Sequence, residues 1–125
     1  MDSIVIWWVS THSTLEQLVG DGSPRVHVGY AVVELHLPGV QGLKEKRGFL
    51  KSIMAALTDD LGASVSEVGW QDLWQRAALG VAVVASSPTG VDRALERVVT
   101  LCERDPRVLV TAMVEQVDVL HGTTD

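Results

Sequence analysis

The chain has 125 residues, a length typical of one domain and sufficient to bury roughly two thirds of the unfolded surface. Hydrophobic residues make up 46% and charged residues 21%, a composition that excludes disorder over most of the length. A single cysteine, Cys102, excludes an internal disulfide, and without an export signal it predicts a reducing, cytoplasmic setting. The formal net charge of −6 excludes a general nucleic-acid coat but permits a local basic contact.

The first segment, 1–24, is predicted to be an extension ahead of the main domain. Its apolar run 4–9 is too short to span a bilayer and lacks the basic flank of a signal peptide, so no membrane partner is expected. The run is interpreted as a short strand or an interaction segment, with a start codon assigned too early as the alternative. A cluster of glycine and proline then marks the boundary, which places the domain at 25–121 and a tail at 122–125.

The first strand and the first helix have clear signals. Apolar and β-branched residues fill 26–37 almost without interruption until Pro38 and Gly39, which predicts a buried strand. Leucine and methionine then recur at helical spacing over 43–61, and Gly62 is placed to end that helix.

The second half of the chain repeats the alternation of strand and helix. Short strands are predicted at 63–68 and 76–85. Ser87 and Pro88 have the pattern of an N-cap followed by proline at the first helical position. This second helix is expected to end near 105–106, and a last strand follows at 108–120.

The order of elements is therefore βαββαβ, which predicts a ferredoxin-like α/β (α+β) sandwich. Such a fold has a four-stranded antiparallel sheet with two helices on one face. The other face of the sheet is left open unless a partner or the extension covers it.

Four strings of residues identify a family resemblance: 33–38 (VELHLP), 43–47 (LKEKR), 71–77 (QDLWQRA) and 79–83 (LGVAV). Together they resemble the YlxP-like family of small bacterial proteins of unknown function, over roughly 26–120. The resemblance implies a ferredoxin-like fold, no assigned activity, and a gene often found near ribosome-maturation and translation factors. The extension 1–24 departs from the family pattern.

Positive charge is concentrated in one stretch, 43–51, which contains all three lysines: Lys44, Lys46 and Lys51. With Arg47 and one acid this stretch has a net charge of +3, which leaves six basic and fifteen acidic residues, a net charge of −9, for the rest. On a helical wheel Lys44, Arg47 and Lys51 fall within about 60° of each other, with Lys46 on the other side. The cluster is either an anion-binding site or a solvated face whose cations pair with Glu34, Glu67 or Asp72.

The predicted topology gathers polar residues at one edge of the sheet. The first two strands run parallel with the third between them, so their ends meet next to the start of the first helix. This collects a polar cluster of Glu34, His36, Glu67, Gln71 and Asp72, with Trp74 and Arg76 nearby. The cluster is either a catalytic or metal site or, the favoured reading, an ion-pair network. We assign no catalytic residue, no metal ligand and no cofactor from it.

Three hypotheses for function follow. The first is a non-enzymatic binding module that contacts RNA or a ribosomal subunit through Lys44, Lys46, Arg47 and Lys51, with Arg76 and Trp74 nearby. In that hypothesis Trp70 and Trp74 would stack on bases. The alternative for these two side chains is that they are packing anchors or interface residues. The second is a homodimer through the open sheet face, with a small anion bound at its seam. The least favoured is an enzyme that uses Glu34, His36 and Asp72 as acid–base groups.

Overall fold

The computed structural model describes residues 22–123, and predictions about 1–21 and 124–125 lie outside these residues. Its elements, in chain order, are β1 (Arg25–His36), α1 (Leu43–Leu61), β2 (Ser64–Gly69), β3 (Arg76–Ala85), α2 (Pro88–Cys102) and β4 (Leu109–His121). The predicted ferredoxin-like arrangement is confirmed. The predicted bounds of α1 and β3 match, whereas the other three strands are displaced by one residue and α2 ends a few residues early.

The predicted end of α1 at Gly62 and the predicted start of α2 at Ser87 and Pro88 are both seen in the structure. Gly62 adopts a left-handed conformation (φ 63°) after α1, and its N–H donates to the Thr58 carbonyl at 3.0 Å. The Ser87 hydroxyl accepts a hydrogen bond from the Gly90 N–H at 3.1 Å and so caps α2, with Pro88 in its first turn.

The sheet has the strand order β2-β3-β1-β4, and all three neighbouring pairs are antiparallel. Because β3 lies between β1 and β2, the two outer strands of this trio run parallel, as predicted. The pairing of β1 and β4 continues by one more hydrogen bond past the strand ends, in which the Gly122 N–H donates to the Pro24 carbonyl at 2.8 Å.

The two helices cover one face of the sheet and form the core with it. β1 and β3 contribute alternate buried side chains to this face, and α2 contributes a continuous buried stripe that includes Cys102. Cys102 is buried in the core, and this burial raises the pKa of its thiol to about 11. Gly29 allows the close approach of α2 to β1, since a Cβ there would lie 2.4 Å from Val91 Cγ1.

Candidate binding surfaces

Lys46 lies on the other side of α1 from Lys44, Arg47 and Lys51, as the helical wheel predicts, but it is buried. It is 2% exposed and shares the buried side of α1 with Leu50, Ile53 and Leu57. Its ammonium forms an ion pair with Glu67 at 2.9 Å and donates to the Trp70 carbonyl at 2.8 Å. A lysine held in this way has no free donor directed outward, so Lys46 does not belong to an exposed anion-binding set.

The contacts of Lys46 hold the 70–75 loop, which connects β2 to β3, against the start of α1. Besides the bond to Trp70, Lys46 Nζ donates to the Gln71 carbonyl at 3.4 Å. Gln75 Nε2 donates to the Val40 carbonyl at 3.2 Å, and the Leu37 N–H donates to the Gln75 carbonyl at 2.9 Å. The two strings LKEKR and QDLWQRA are therefore in contact in the fold. The hydrogen bonds between Lys46 and the loop fix the position of the loop.

Trp70 has a left-handed backbone (φ 54°), which is rare for a bulky side chain and is tolerated where surrounding contacts fix it. The guanidinium of Arg76 lies 3.8 Å from the centre of the Trp70 ring, in a cation–π contact. Trp70 therefore anchors the loop. Leu73 and Trp74 differ from it, since they are 46% and 50% exposed at the tip of the same loop.

The members of the predicted polar cluster have partners of their own. Glu34 lies 3.7 Å from Arg76, Glu67 pairs with Lys46, and Gln71 Nε2 donates to the Glu67 carbonyl at 3.4 Å. His36 is half-buried opposite Arg76 in the register of β1 and β3, and Asp72 is exposed. Each glutamate is thus neutralised by a cation, an arrangement suited to positioning a loop.

Lys44, Arg47 and Lys51 form what we call the basic patch. All three are exposed on α1, and among the described residues none of them forms an ion pair. Their spacing over two helical turns places the charges on one side of the helix, as the sequence predicts. The patch lies on the helical layer, away from the uncovered face of the sheet.

That uncovered face, which we call the open face, is unusually apolar. Among residues 22–123 ten large hydrophobic side chains are exposed, and seven of them point to the open face. These seven are Tyr30, Val32, Val68, Val84, Leu109, Val114 and Leu120. An exposed cluster of this kind is typical of an interaction surface, because scattered single residues are the norm elsewhere.

The open face has a concave part of about 500 Å³ that is lined by residues of all four strands, with Val114 and Gln116 on the side of β4. Gly80 and Ala82 form its floor, and Val68 borders it from the side of β2. Tyr30 and Val32 border it from the side of β1. Because β3 has small side chains here and β1 has large ones, we call the strip over β3 the trough and the strip over β1 the ridge.

Tyr30 is the one aromatic side chain of the ridge, and its hydroxyl donates to Asp118 Oδ2 at 3.2 Å. Removal from water, followed by the hydrogen bond to Asp118 and the charge of that carboxylate, raises the pKa of the Tyr30 phenol. These contacts favour the neutral form of the phenol.

The sequence offers Glu67 as a partner for the cations of 43–51, but the burial of Lys46 and the trough of the open face were not predicted. The role of Lys46 has a signal in the sequence, because it precedes Leu50 by four residues and Ile53 by seven, in phase with the buried stripe. The trough depends on which residues of β1, β2 and β3 are paired, and this register is set by the fold.

Residues 22–123 contain neither a cluster of metal ligands nor a helix suited to span a membrane. No group of three or more His, Cys, Asp or Glu side chains within 22–123 lies close enough to hold a metal ion. Neither described helix has the length and apolarity that crossing a membrane requires.

Comparison with known proteins places the chain in a family. Residues 28–114 match the model of a family described as "Protein of unknown function (DUF503)". The chain is 36% identical over 81 residues to the uncharacterized protein YlxP of Bacillus subtilis (strain 168), an alignment that covers 65% of this chain and 88% of that protein. The resemblance noted in the four strings of the sequence is confirmed.

Solved structures give more distant likenesses. One is a dimeric ferredoxin-like protein from an uncultured marine organism, with 16% identity, 86% of this chain and 97% of that chain covered, and a TM-score of 0.44. Another is the de novo designed protein Foldit4, with 14% identity, 80% of this chain and all (100%) of that chain covered, and a TM-score of 0.39.

Proposed function

The chain belongs to this DUF503 family of proteins of unknown function, and we propose that it is a non-enzymatic binding module that assembles as a homodimer through the open face. The observation that carries the proposal is that seven of the ten exposed large hydrophobic residues in the described part of the chain share that face. Burying them against a second apolar surface removes them from water, which is the main driving force of association.

The absence of charge at the centre of the open face supports this choice of surface. The ridge and the trough of the open face carry no charged side chain at their centre, where Tyr30, Val32, Gly80 and Ala82 lie. Depletion of charge at the centre of a surface is the feature that distinguishes interface cores from ordinary surface. The proposal includes a reducing, cytoplasmic setting, which the single buried thiol of Cys102 suits.

The test is the mass of the protein in solution, measured by light scattering after size-exclusion chromatography from low to high micromolar concentration. We expect a concentration-dependent species of twice the chain mass of 13.5 kDa. Val114→Lys, which places two charges in the dimer interface, should weaken the dimer by at least about a hundredfold.

A matched control is available in the same strand. Val117 is also an exposed valine of β4, but its register partner Gly29 places it on the helix-covered face. Val117→Lys should leave the dimer unchanged. A protein that stays monomeric at high micromolar concentration, or one in which the two lysine variants behave alike, would contradict the proposal.

A second candidate function, contact with RNA or a ribosomal subunit, is supported by the basic patch. Lys44, Arg47 and Lys51 are exposed without an ion pair among the described residues, while the chain as a whole is acidic. Three cations on two turns of a helix suit the phosphates of a nucleic-acid backbone. The exposed ring of Trp74 lies on the 70–75 loop, which packs against the start of the same helix, and Arg76 follows that loop as the first residue of β3.

The test is sedimentation of a cell lysate through sucrose gradients at low and high salt. Comigration with the small ribosomal subunit at low salt, lost at high salt, is expected because phosphate contacts weaken steeply with salt. A variant with glutamine at Lys44, Arg47 and Lys51 should lose this comigration.

The control variant has glutamine at Arg93, Arg97 and Arg104, which changes the net charge by the same amount away from the patch. It should migrate like the unchanged protein. Migration at the top of the gradient at both salt concentrations would reject this candidate and leave the homodimer unaffected.

A further inference from the structure

Two central rows of the open face are ordered by side-chain size, whereas the row of Val84, Val28 and Asp118 is not. One row of paired residues across the four strands reads, from β2 to β4, Ser66, Gly80, Val32 and Val114. The next row reads Ser64, Ala82, Tyr30 and Gln116. Both rows have the same order, with two small residues on β2 and β3 followed by two large residues on β1 and β4.

This order is self-complementary under one symmetry operation. We propose that two copies pack their open faces together about a two-fold axis that runs along the strands, between β1 and β3. The operation reverses the strand order of the second copy, so β1 of each copy lies over β3 of the other. The inference rests on the proposed homodimer and adds the arrangement of its interface.

The axis places each large residue over a small one. Val32 of the second copy lies over Gly80, and Tyr30 of the second copy lies over Ala82, because these residues are register partners at equal heights along the strands. Val114 of the second copy lies over Ser66 for the same reason. The ridge of each copy thus fills the trough of the other, at the spacing of about 10 Å that packed sheets have.

A two-fold axis across the strands would give the opposite result. It would place β1 over β1 and β3 over β3, so Tyr30 would meet the ridge of the second copy and Gly80 would face the second trough. That packing leaves the trough of each copy without a large side chain to fill it. Interfaces of specific complexes are packed about as densely as protein interiors, which favours the axis along the strands.

The size and the charges of the face suit a second copy of this chain. Four strands about 4.8 Å apart and roughly eight residues long give about 500 Å² for each copy and about 1,000 Å² in total, which is at the lower limit for a specific interface. At the polar end of the face, Glu34 of one copy lies over Ala78 and beside Arg76 of the other, so charges of opposite sign are neighbours across the interface.

The experiment exchanges a large and a small residue within one row. Tyr30→Ala leaves a gap and Ala82→Tyr places two rings against each other, so each single variant should weaken the dimer by at least about tenfold. The double variant again places a large residue over a small one, and its dissociation constant should return to within about threefold of the unchanged chain. Circular dichroism and urea unfolding verify that each variant is folded.

A second exchange uses the edge strands, where substitutions disturb the monomer least. Ser66→Val and Val114→Ser should each weaken the dimer and should compensate each other when combined. If neither double variant recovers affinity while the unchanged chain dimerises, the proposed axis is wrong and the homodimer stands. If the unchanged chain is monomeric, both the axis and the proposed function fail.

Discussion

The two faces of this sheet are built from the same strands and have opposite roles. On the covered face, residues such as Val33, Leu35 and Leu79 are fully buried beneath the helices. On the open face, their neighbours Val32 and Val114 are 42% and 67% exposed, although they are just as apolar. An apolar residue of the covered face stabilises the monomer, and we expect one of the open face to stabilise an assembly.

The largest expected difference is between Leu35 and Val32, which lie close together on β1. Leu35→Ala empties a site in the core and should reduce the free energy of unfolding by about 2–5 kcal/mol. Val32→Ala removes methyl groups from the open face and should change monomer stability by less than about 1 kcal/mol. Urea unfolding at low protein concentration, where the monomer dominates, measures both. Equal losses would show that the open face belongs to the monomer core.

The next effect concerns Lys46, which is buried on the covered side of the sheet. Lys46→Met leaves Glu67 without its cation and removes a donor from the Trp70 carbonyl. The free energy of unfolding should fall by about 2–3 kcal/mol, less than for a fully buried pair because Glu67 is 25% exposed.

The control for this variant is Lys51→Met, which changes the same side chain at an exposed position of the same helix. Its effect on unfolding should be below about 0.5 kcal/mol. If the two variants were equally stable in urea, Lys46 would not hold the 70–75 loop.

The contrast between these lysines explains what the sequence could and could not predict. Periodicity and turn residues predicted all six elements and the ferredoxin-like topology, because these signals are local. Helical periodicity predicted the side of α1 that Lys46 occupies, but its burial was not predicted, because Lys46 was grouped with the exposed cations of an anion-binding site. Its partners, Glu67 and the Trp70 carbonyl, are more than twenty residues away along the chain and become neighbours only in the fold.

The order of side-chain sizes across the open face could not be predicted from the sequence, because it also depends on contacts between distant residues. The small residues of β3 are evident in the sequence, and they indicate close packing of a backbone or of a second sheet against this strand. Their pairing with Tyr30 and Val32 is a property of the register, and a shift by one residue would turn each side chain to the other face. The rows therefore became visible only in the structure.

Two glycines, one on each face, test the same comparison with smaller expected changes in the free energy of unfolding. Gly29 lies on the covered face, where a Cβ would be 2.4 Å from Val91 Cγ1, so Gly29→Ala should destabilise the monomer by about 1–3 kcal/mol. Gly80 lies on the open face, where a Cβ would be 2.9 Å from the Cγ1 atom of the exposed Val68 side chain, which can rotate away. Gly80→Ala should cost less than about 1 kcal/mol in urea unfolding. The reverse ranking would contradict the assignment of the faces.

The smallest effect is electrostatic and reports directly on the open face, because Tyr30 is the one tyrosine of the chain. Partial burial and the contact with Asp118 raise the pKa of its phenol above 10.0 in the isolated chain. A second copy over the ridge removes more water, so the pKa should be higher in the dimer than in the monomeric Val114→Lys variant. Since the dimer favours the neutral phenol, it should weaken as the pH rises past the pKa of the monomer. Titration of the phenolate absorbance measures this difference. Identical curves for the two proteins, at a concentration where the unchanged chain is dimeric, would place Tyr30 outside the interface.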